Sequence, residues 1–340
     1  MKIVWRIVFA VAVLLTAVIA VGAVKVLGPR AFLGPRSRPL TSRTFEATPA
    51  RLERGKYLAN GIGCLYCHSP HDWSKPEDPI LPGMAGAGQK LPYYDLPGSV
   101  VAPNLTPDKE TGAGNWTDDM LARSIREGIG HDGRALFGMM PFAHYRNMPD
   151  EDLASVIVYL RSLPAVRNSV PRTEIIFPVK YIMRNDPQPI TTAVSAPDVS
   201  DPVKRGRFLI DTIGCSDCHA PVDNHHVPIP GLDFSGGQVV KAPWGTVASA
   251  NITPDATGIS YYDEGIFIKC IRTGTVGARV LNKTMPWAVL RNLNDEDLSA
   301  MFAYLRTLKP IAHRVDNSEP PTLCPLDGAM HGGGSQNRKN

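Results

Sequence analysis

The sequence predicts a mainly α-helical fold in which two tandem copies of one domain follow an N-terminal apolar helix. Three observations support this prediction: an uncharged apolar run near the N-terminus, an internal repeat, and apolar residues at helical spacing in both copies of the repeat. Long stretches with the period-two alternation of strands are not evident in the sequence. We therefore expect residues 45–165 and 201–316 to fold alike, as two domains.

The apolar run at residues 7–24 follows the basic residues Lys2 and Arg6 and contains no charge. As a helix it would span about 27 Å, just enough for a thin hydrocarbon core. It is longer than the apolar part of a usual signal peptide, although Val21-Gly22-Ala23 resembles a cleavage site. We predict that residues 1–30 form a membrane anchor, with a cleaved signal peptide as the alternative. In both cases the rest of the chain is exported.

An internal repeat covers most of the chain that follows. Five short motifs recur in the same order, with an offset that falls from 151 to 145 residues. A constant order with slowly changing offsets indicates two copies of one fold, with small loop deletions in the second copy. The paired motifs are Arg54-Gly55-Lys56-Tyr57-Leu58 with Arg205-Gly206-Arg207-Phe208-Leu209, Asn104-Leu105-Thr106-Pro107-Asp108 with Asn251-Ile252-Thr253-Pro254-Asp255, Met140-Pro141-Phe142 with Met285-Pro286-Trp287, Asp150-Glu151-Asp152-Leu153 with Asp295-Glu296-Asp297-Leu298, and Tyr159-Leu160-Arg161-Ser162-Leu163 with Tyr304-Leu305-Arg306-Thr307-Leu308.

Three helices are predicted in each copy. The first spans about residues 49–60 in one copy and 202–211 in the other, and the second spans about residues 118–127 and 263–272 and ends near a glycine. The last helix carries an apolar stripe at positions i, i+3, i+4 and i+7 and acidic residues in its first turn. Its stripe residues are Leu153, Val156, Ile157 and Leu160 in the first copy and Leu298, Met301, Phe302 and Leu305 in the second. Pro149 suits a first-turn position and Asn294 an N-cap.

The remaining segments lack a helical pattern. The Gly/Pro-rich stretches 76–98 and 221–245 are predicted to be loops that wrap a cofactor. The Pro-rich residues 166–200 are predicted to link the two domains, and residues 317–340 to form a flexible C-terminal tail.

Two Cys-x-x-Cys-His boxes carry the chemistry. They are Cys64-Leu65-Tyr66-Cys67-His68, the first box, and Cys215-Ser216-Asp217-Cys218-His219, the second box. This pattern is typical of c-type haem attachment, in which both cysteines form thioethers to the porphyrin and the histidine binds the iron. A pair of zinc half-sites and a redox-active disulfide are the alternatives, and neither box lies in the βαβ pattern that the disulfide would favour.

Each iron needs further ligands from the chain. His68 and His219 are the predicted proximal ligands, and Met140 and Met285 are the predicted sixth ligands because each precedes a proline and an aromatic residue before the last helix of its copy. The competing interpretation is that these methionines fill the core. Met139 also competes with Met140, but only Met140 precedes a proline as Met285 does.

His-Met ligation raises the haem potential and closes the iron, which favours electron transfer over catalysis of its own. A ligating imidazole usually donates its second N–H to a fixed acceptor. The carbonyls of Pro82 and Pro230, which follow the two boxes at comparable places, are the predicted acceptors for His68 and His219.

Cys270 and Cys324 remain outside the boxes. In an oxidising compartment they form either a disulfide or two separate buried thiols, and the sequence leaves both open. A Cys270 thiolate bound to iron is a minor alternative. The pair His225-His226 is predicted to lie in a solvated loop, with a metal site or a haem ligand as the alternative.

Charge is concentrated in the first 50 residues, which have a net charge of +6 and leave −2 for the rest of the chain. The haem-bearing body is therefore nearly neutral, and no basic stripe indicates nucleic-acid binding. The basic stretch after the apolar run could touch lipid head groups, but it opposes the orientation that places the haems outside the cytoplasm. The haem boxes outweigh that rule here.

With these motifs in hand, each copy resembles a class I cytochrome c domain, over about residues 50–165 and 203–312. The combined motifs resemble the membrane-bound cytochrome c subunits of periplasmic alcohol, gluconate and related sugar dehydrogenases. Those subunits have three haem domains, whereas this chain has two boxes. The resemblance implies a duplicated dihaem protein that relays electrons in a respiratory chain.

The expected function is that of a membrane-anchored electron-transfer protein with two covalently bound c-type haems, on the periplasmic side of the bacterial inner membrane. Its expected partners are a periplasmic dehydrogenase subunit, a respiratory complex or an oxidase. The alternatives are a dihaem redox enzyme, such as a peroxidase or a thiosulfate-oxidising cytochrome, and a structural subunit of a respiratory assembly in which one haem no longer turns over.

Overall fold

The computed structural model of the chain describes residues 2–223, 227–317, 320 and 322–331. The pair His225-His226 lies outside the described residues. Helices dominate, as predicted, and they are joined by loops and two-stranded ribbons. The helices are α1 Lys2–Leu27, α2 Arg30–Leu33, α3 Pro49–Gly61, α4 Cys64–Cys67, α5 Asp118–Glu127, α6 Phe142–Tyr145, α7 Asp150–Ser162, α8 Val179–Ile182, α9 Pro202–Ile213, α10 Cys215–His219, α11 Glu264–Thr273, α12 Trp287–Leu290 and α13 Asp295–Thr307, with a 3₁₀ turn at Met183–Asn185.

The strands are short and make no extended sheet among the described residues. Pairing is antiparallel between β1 and β3, β5 and β6, β7 and β8, and β9 and β10. Their bounds are β1 Gln89–Lys90, β2 Gly98–Ser99, β3 Val101–Ala102, β4 Glu174–Ile175, β5 Val239–Ala242, β6 Gly245–Ala248, β7 Thr275–Val276, β8 Arg279–Val280, β9 Thr322–Leu323 and β10 Met330–His331. The last ribbon lies within the segment that the sequence predicts to be a flexible tail.

The chain forms two compact units. The smaller unit contains Met1–Thr44, Trp116–Arg146 and Glu174–Thr192. The larger unit contains Phe45–Asn115, Asn147–Thr173 and Ala193–Asn340, and therefore both Cys-x-x-Cys-His boxes. Helices α5 and α6 group with the N-terminal segment in this division, and the domain boundaries 45–165 and 201–316 stay a prediction.

Helix α1 begins the smaller unit, and none of its described residues is buried within the chain. Among the described residues it is the one helix long and apolar enough to cross a membrane. A signal sequence near the N-terminus would pass the same test of length and composition.

Helix α5 in the smaller unit has the bounds that the sequence predicts. The Thr117 hydroxyl caps its start by accepting the Met120 N–H at 3.2 Å. Gly128 ends it in the left-handed conformation, with φ +73°. The Phe142 ring of α6 lies against this glycine, where a Cβ atom would approach the ring to 2.7 Å.

A buried ion pair attaches the N-terminal segment of the smaller unit to α5. The Arg38 guanidinium donates two hydrogen bonds of 2.7 Å to the Asp119 carboxylate and one of 2.8 Å to Glu127. The Thr41 N–H adds a further hydrogen bond of 2.7 Å to Asp119. Asp119 is fully buried, so its charge depends on these partners.

The larger unit is built on two helix pairs of the same design, α3 against α7 and α9 against α13. Gly55 of α3 and Gly206 of α9 are the contact points, because a Cβ atom on them would come within 1.9 Å of the Ser155 carbonyl and 1.8 Å of the Ala300 carbonyl. The repeated Arg-Gly motif therefore serves close helix packing. Its arginines pair with aspartates of the partner helix, Arg54 with Asp152 at 2.7 Å and Arg205 with Asp297 at 2.6 Å.

The predicted helix ends are largely observed. Asn294 caps α13 by accepting the Asp297 N–H, as predicted. Pro149 is the N-cap residue of α7 rather than a first-turn residue, and the prediction of its position was wrong by one residue. Its ψ of 150° is extended, which a proline in the first turn would not have.

The repeated Asn-x-Thr-Pro-Asp motif fixes a buried turn in each half of the larger unit. The Asn104 side-chain oxygen accepts the Thr106 N–H at 2.9 Å, while its amide donates to the Val166 carbonyl at 2.8 Å. Asn251 makes the equivalent bonds to Thr253 and Ile311, at 2.9 and 2.8 Å. Each asparagine thus ties the loop after its box to the chain that leaves the last helix.

Tyr57 joins the start of one half to the end of the other. Its hydroxyl donates to the Asp297 carboxylate and accepts the Asn294 N–H at 3.1 Å. Next to it, the place of a Gly61 side chain is taken by Leu293, which would lie 2.6 Å from a Cβ atom there. Helix α3 of the first half therefore packs directly on the beginning of α13.

Candidate haem-binding sites

The first box forms one helical turn at the end of α3. Gly63, with φ +94°, follows the Ile62 C-cap of α3 and is the N-cap residue of α4. Cys64 and Cys67 are three residues apart on this turn, so their side chains lie on neighbouring positions of one face. Burial raises the pKa of the Cys64 thiol to about 12 and that of Cys67 to about 11, which keeps both as thiols.

The second box repeats this arrangement at the end of α9. Gly214, with φ +77°, separates α9 from α10, the helical turn of the second box. Burial raises the pKa of the Cys215 thiol to about 12. The same local sequence, a glycine before Cys-x-x-Cys-His, therefore gives the same turn twice.

The two box histidines are held in the same way. His68 Nδ1 lies 2.7 Å from the Pro103 carbonyl oxygen, and His219 Nδ1 lies 2.7 Å from the Ala250 carbonyl oxygen. Because a carbonyl only accepts, Nδ1 carries the proton and Nε2 is left to bind a metal. Burial lowers the pKa of both histidines, which favours the neutral ring that ligates iron.

These acceptors differ from the predicted ones. The prediction of the Pro82 and Pro230 carbonyls was wrong, since Pro103 and Ala250 accept instead. Both true acceptors immediately precede the Asn-x-Thr-Pro-Asp motif. The buried asparagine turn therefore places the carbonyl that orients the histidine, a link between two motifs that their separation in sequence does not show.

The donor set fits a covalently attached haem. Each box offers two thiols on one helical turn and a neutral imidazole fixed through Nδ1, all within the larger unit. In addition, the carbonyl of each histidine accepts a loop N–H at 2.7 Å, from Gly88 and Gly236 respectively. The loop after each box is therefore held to the box histidine at two points, the imidazole ring and the backbone carbonyl.

The two Met-Pro loops have the same local conformation. In the larger unit, the Met285 N–H donates to Asn282 at 3.0 Å and the Met285 carbonyl accepts the Trp287 N–H at 2.7 Å. In the smaller unit, Met140 makes the corresponding bonds to Phe137 and Phe142, at 3.0 and 2.7 Å. The roles of Met140 and Met285 as iron ligands stay predictions.

The remaining cysteines are free thiols, so the disulfide that the sequence left open is not formed. Cys270 is buried among apolar residues of the larger-unit core. Cys324 lies in the C-terminal ribbon, with its sulfur 3.3 Å from His313 Nε2. The two cysteines therefore belong to different environments, which spacing along the sequence does not reveal.

An aromatic chain near the first box was missed by the sequence analysis. Tyr66, inside the box, lies edge-on to Trp73 at 5.9 Å between ring centroids, and Trp73 stacks on Trp244 at 5.2 Å. The Trp244 indole N–H donates to the Thr284 hydroxyl at 3.0 Å, and Thr284 immediately precedes Met285. Side chains in contact thus run from the first box to the Met-Pro loop of the second half.

Tyr93 is close to both boxes. Burial is the main cause that raises its pKa, and the thiols Cys67 and Cys218 both contribute to the same shift. One phenol is therefore close to a cysteine of each box. Tyr93 also lies edge-on to Trp244, at 6.0 Å between ring centroids.

Lys283 attaches the second Met-Pro loop to the first half. Its ammonium donates to the Trp73 carbonyl at 2.8 Å, the Lys75 carbonyl at 2.6 Å and the Asp78 carboxylate at 2.8 Å. Asp78 is almost completely buried. Burial raises its pKa, although Lys283 acts in the opposite direction. Neither residue belongs to a repeated motif, so the sequence carries no signal for this contact.

Comparison with known proteins gives relatives over most of the chain. One subunit of the nicotinate dehydrogenase of Pseudomonas putida is 33% identical over 279 residues, 76% of this chain and 21% of that protein. The gluconate 2-dehydrogenase cytochrome c subunit of Pantoea cypripedii is 29% identical over 77% of this chain and 60% of that protein. A diheme cytochrome c-type protein of Cereibacter sphaeroides is 26% identical over 81% of this chain and 92% of that protein.

Through its two boxes the chain is similar to cytochromes c, proteins with covalently bound haem, and the second and third of these relatives carry that name. Its homologues are, more narrowly, cytochrome c subunits of quinone alcohol, fructose and gluconate dehydrogenases and a diheme cytochrome c. The chain spans 21 to 60% of the length of the first relatives it matches. No model of a known protein family matches the chain.

Proposed function

We propose that this protein is a membrane-anchored, periplasmic dihaem cytochrome c that relays electrons through two His/Met haems between a dehydrogenase or respiratory complex and an acceptor. The observation that carries the proposal is the pair of equivalent boxes, each with two thiols and a histidine oriented by a backbone carbonyl at 2.7 Å. The relatives whose names describe cytochrome c subunits of dehydrogenases support the class of donor.

Each haem would be held by the box near the start of one repeat and by the methionine before the last helix of that repeat. Cys64, Cys67, His68 and Met140 would hold the first, and Cys215, Cys218, His219 and Met285 the second. The haem supplies one-electron chemistry at its iron, and the protein sets the potential through the axial ligands and their surroundings. The chain itself keeps each histidine neutral and fixed through Nδ1.

The methionine positions are supported by the two Met-Pro turns, which have the same hydrogen bonds in both copies. The aromatic residue after each proline seats the turn on the glycine that ends the preceding helix, Phe142 on Gly128 and Trp287 on Gly274. The backbone is fixed by hydrogen bonds on both sides of the methionine. This favours a ligand role, because a methionine that only fills the core does not need a fixed backbone conformation.

Contact between the two box-bearing halves supports transfer from one haem to the other. Trp73 and Trp244 stack across this contact, and Tyr93 lies edge-on to Trp244 and close to a cysteine of each box. Aromatic side chains in contact therefore join the first box to the Met-Pro loop of the second half.

Helix α1 is the proposed anchor. It is uncharged between Arg6 and Lys25, and none of its described residues is buried against the rest of the chain. Anchoring would keep the haems close to membrane-bound partners, of which a dehydrogenase subunit is the proposed electron donor.

Three measurements, on membranes and on the protein purified in detergent, test this proposal. The pyridine haemochrome assay should give two haems per chain, and alkaline extraction of membranes should leave the protein in the membrane fraction. Potentiometric titration should then give two reversible waves. One haem per chain, or a reduced protein that binds carbon monoxide rapidly, would contradict the closed dihaem relay and favour a dihaem enzyme.

The path between the haems has its own test. Trp244→Leu should slow electron exchange between the haems after photochemical reduction by about tenfold or more, an increase of about 1.4 kcal/mol in the activation barrier. Trp116→Leu is the matched control, since Trp116 stacks on His131 in the smaller unit. Equal exchange rates in both variants would exclude the Trp73–Trp244 stack as the path.

A further inference from the structure

Four side chains with metal-binding atoms meet at the C-terminal ribbon of the larger unit. They are His313, Cys324, Asp327 and His331, and one ligand atom of each lies within 4.8 Å of all the others. His313 Nε2 lies 3.3 Å from the Cys324 sulfur and 3.6 Å from Asp327 Oδ2, and His331 Nε2 lies 3.0 Å from the same carboxylate oxygen. None of the four belongs to a haem box or a Met-Pro loop.

The cluster is buried, and several of its polar atoms lack hydrogen bonds. The side chains of His313 and Asp327 are 1% exposed and that of His331 is 5% exposed. Asp327 Oδ2 and both ring nitrogens of His331 are buried without a hydrogen-bond partner. Leaving a carboxylate and an imidazole in this state is costly unless another group satisfies them.

We propose that these four residues bind one zinc ion, which ties the C-terminal ribbon to the second box-bearing half. One thiolate, two imidazoles and one carboxylate are a donor set that zinc accepts in closed tetrahedral sites. With Zn–S near 2.3 Å and Zn–N or Zn–O near 2.0–2.1 Å, the edges of such a tetrahedron measure about 3.3–3.6 Å. Three of the six separations between ligand atoms, at 3.0 to 3.6 Å, are close to these edges, and the other three lie within 4.8 Å, so the site forms if the remaining ligands move closer together.

The chain fixes the ligands from both sides. The His313 N–H donates to the Thr257 hydroxyl at 3.0 Å, and His313 Nδ1 lies 3.4 Å from the Ser235 hydroxyl. These contacts hold the ring so that Nε2 faces the cluster. Thr257 and Ser235 thus act as positioning residues for a ligand that lies outside the ribbon.

The ribbon positions the other three ligands. The Cys324 N–H donates to the Ala329 carbonyl at 2.8 Å, and the Leu326 N–H points at the Cys324 sulfur at 3.4 Å. The Ala329 N–H donates to Asp327 Oδ1 at 2.9 Å, which leaves Oδ2 for the metal. An N–H directed at sulfur stabilises a thiolate, the form that binds zinc.

Comparison of the two halves of the larger unit shows that His313 has no histidine counterpart in the first half. Asn168 occupies the place of His313, because its N–H donates to the Thr111 hydroxyl at 2.9 Å as that of His313 does to Thr257. The Asn168 side chain donates to the Ala87 carbonyl at 2.8 Å instead of facing a metal cluster. The histidine is therefore a feature of the second half alone.

A glycine makes the room for the cluster. Gly237 has φ +101°, and a Cβ atom there would lie 2.5 Å from Asp327 Oδ2 and 2.7 Å from His313 Cε1. The residue after the loop glycine Gly88 in the first half is Gln89, whose amide donates to the Tyr66 carbonyl. A side chain at the corresponding position of the second half would fill the proposed zinc site.

Zinc binding can be measured on the full-length, haem-loaded protein in detergent. After treatment with EDTA and dialysis against Zn²⁺, elemental analysis should give one zinc per chain. Zinc-edge X-ray absorption should show one sulfur at about 2.3 Å and three nitrogen or oxygen neighbours at about 2.0–2.1 Å. Zinc content at the level of the buffer, or a zinc shell without sulfur, would overturn the proposal.

Variants separate this site from other cysteines and histidines. Cys324→Ser and Asp327→Asn should weaken zinc binding by more than the roughly 10–100-fold that is typical of outer-sphere partners. Cys270→Ala is the matched control, because Cys270 is a free buried cysteine outside the cluster, and it should bind zinc like the wild type. Unchanged zinc affinity in the first two variants would contradict the assignment.

One measurement needs no variant and does not depend on haem function. Zinc should protect Cys324 in the wild-type protein from alkylation, as read out by mass spectrometry of the peptide that contains it, while EDTA should expose it. Equal labelling with and without zinc would also overturn the proposal. Since haem content and potentials are not part of this readout, its result is independent of the proposed electron transfer.

Discussion

At the scale of single residues, the chain orients its box histidines with backbone rather than side chains. The acceptors are the carbonyls of Pro103 and Ala250, both 2.7 Å from a histidine Nδ1. A carbonyl survives any substitution of its own residue, so the orientation depends on the path of the loop. The buried asparagine of the following motif fixes that path. The histidine geometry should therefore tolerate substitution of the acceptor residue but not substitution of the asparagine.

The choice between neighbouring methionines is testable at this scale. Met140→Leu should remove one haem's share of the far-red methionine-to-iron charge-transfer band and lower the potential of that haem, because a thioether ligand favours the reduced form. Met139→Leu is the control, and it should keep both the band and the potential. The opposite pattern in the two variants would assign the ligand role to Met139.

The buried pair of Arg38 and Asp119 predicts a specific pH dependence. Burial raises the pKa of Asp119, but the hydrogen bonds from Arg38 and Thr41 outweigh it and lower the pKa to about 2. A carboxyl with a depressed pKa in the folded state stabilises the fold fully above its ordinary range, near 4, and loses this effect as the pH falls toward 2.

Asp119→Asn should therefore lower the thermal stability at pH 7, by about 3 kcal/mol or more of unfolding free energy, because Arg38 loses a buried partner. Thermal unfolding followed by circular dichroism measures this effect. The difference between variant and wild type should shrink as the pH is lowered from 4 to about 2. A difference that is constant over this range would show that the carboxylate charge does not stabilise the fold.

At the scale of elements, the larger unit depends on close crossings between helices. Gly55 and Gly206 permit α3 and α9 to touch the backbone of α7 and α13. Both glycines lie in the repeated Arg-Gly motif, so the sequence contained the position of the contact. The sequence did not show why a glycine is needed there, since a glycine inside a helix otherwise only weakens the helix.

Gly206→Ala should separate α9 from α13. The added Cβ atom would lie 1.8 Å from the Ala300 carbonyl oxygen, which is backbone and cannot rotate away. We expect a loss of about 1–3 kcal/mol or more in unfolding free energy. Gly265→Ala in α11 is the control, because the nearest atom there is 3.4 Å away, and it should leave thermal unfolding nearly unchanged.

The same scale shows what the sequence could predict. The bounds of α5 were predicted correctly, because a threonine cap, acidic first-turn residues and a terminal glycine are all local signals. The acceptors of the histidines, the Trp73–Trp244 stack and the C-terminal ribbon were not predicted. They depend on which loops meet after folding, and no periodicity or spacing along the chain encodes that meeting.

The boxes were the other part that the sequence could predict. Five residues predict the chemistry of each, and the structure adds how the glycine before them starts the turn and which carbonyl orients the histidine. The zinc cluster shows the opposite case. His313 lies 11 residues before Cys324, and only the fold brings the histidine to the ribbon.

At the scale of the whole larger unit, Lys283 connects the second Met-Pro loop to the loop after the first box. Lys283→Met would leave the buried Asp78 carboxylate without its cationic partner and should cost about 3–5 kcal/mol of stability. Burial already raises the pKa of Asp78, so the charged form is the unfavourable one in the fold. The defect should therefore be larger at pH 8 than at pH 5.

The double variant Lys283→Met with Asp78→Asn checks the cause. It should recover most of the lost stability, because it removes the unpaired charge. Thermal unfolding at both pH values gives the coupling between the two sites. Additive effects in the double variant would mean that the lysine acts through its two carbonyl contacts alone.

Tyr57 makes the two copies of the repeat non-equivalent. The repeat places Phe208 at the matching position of the second copy, so the one hydroxyl that reaches Asn294 and Asp297 exists only in the first. The two copies therefore contribute differently to their contact: the first supplies the hydroxyl, and the second supplies the groups that bind it. A protein engineered with their order reversed would lose this joint even though every residue of the two boxes was retained.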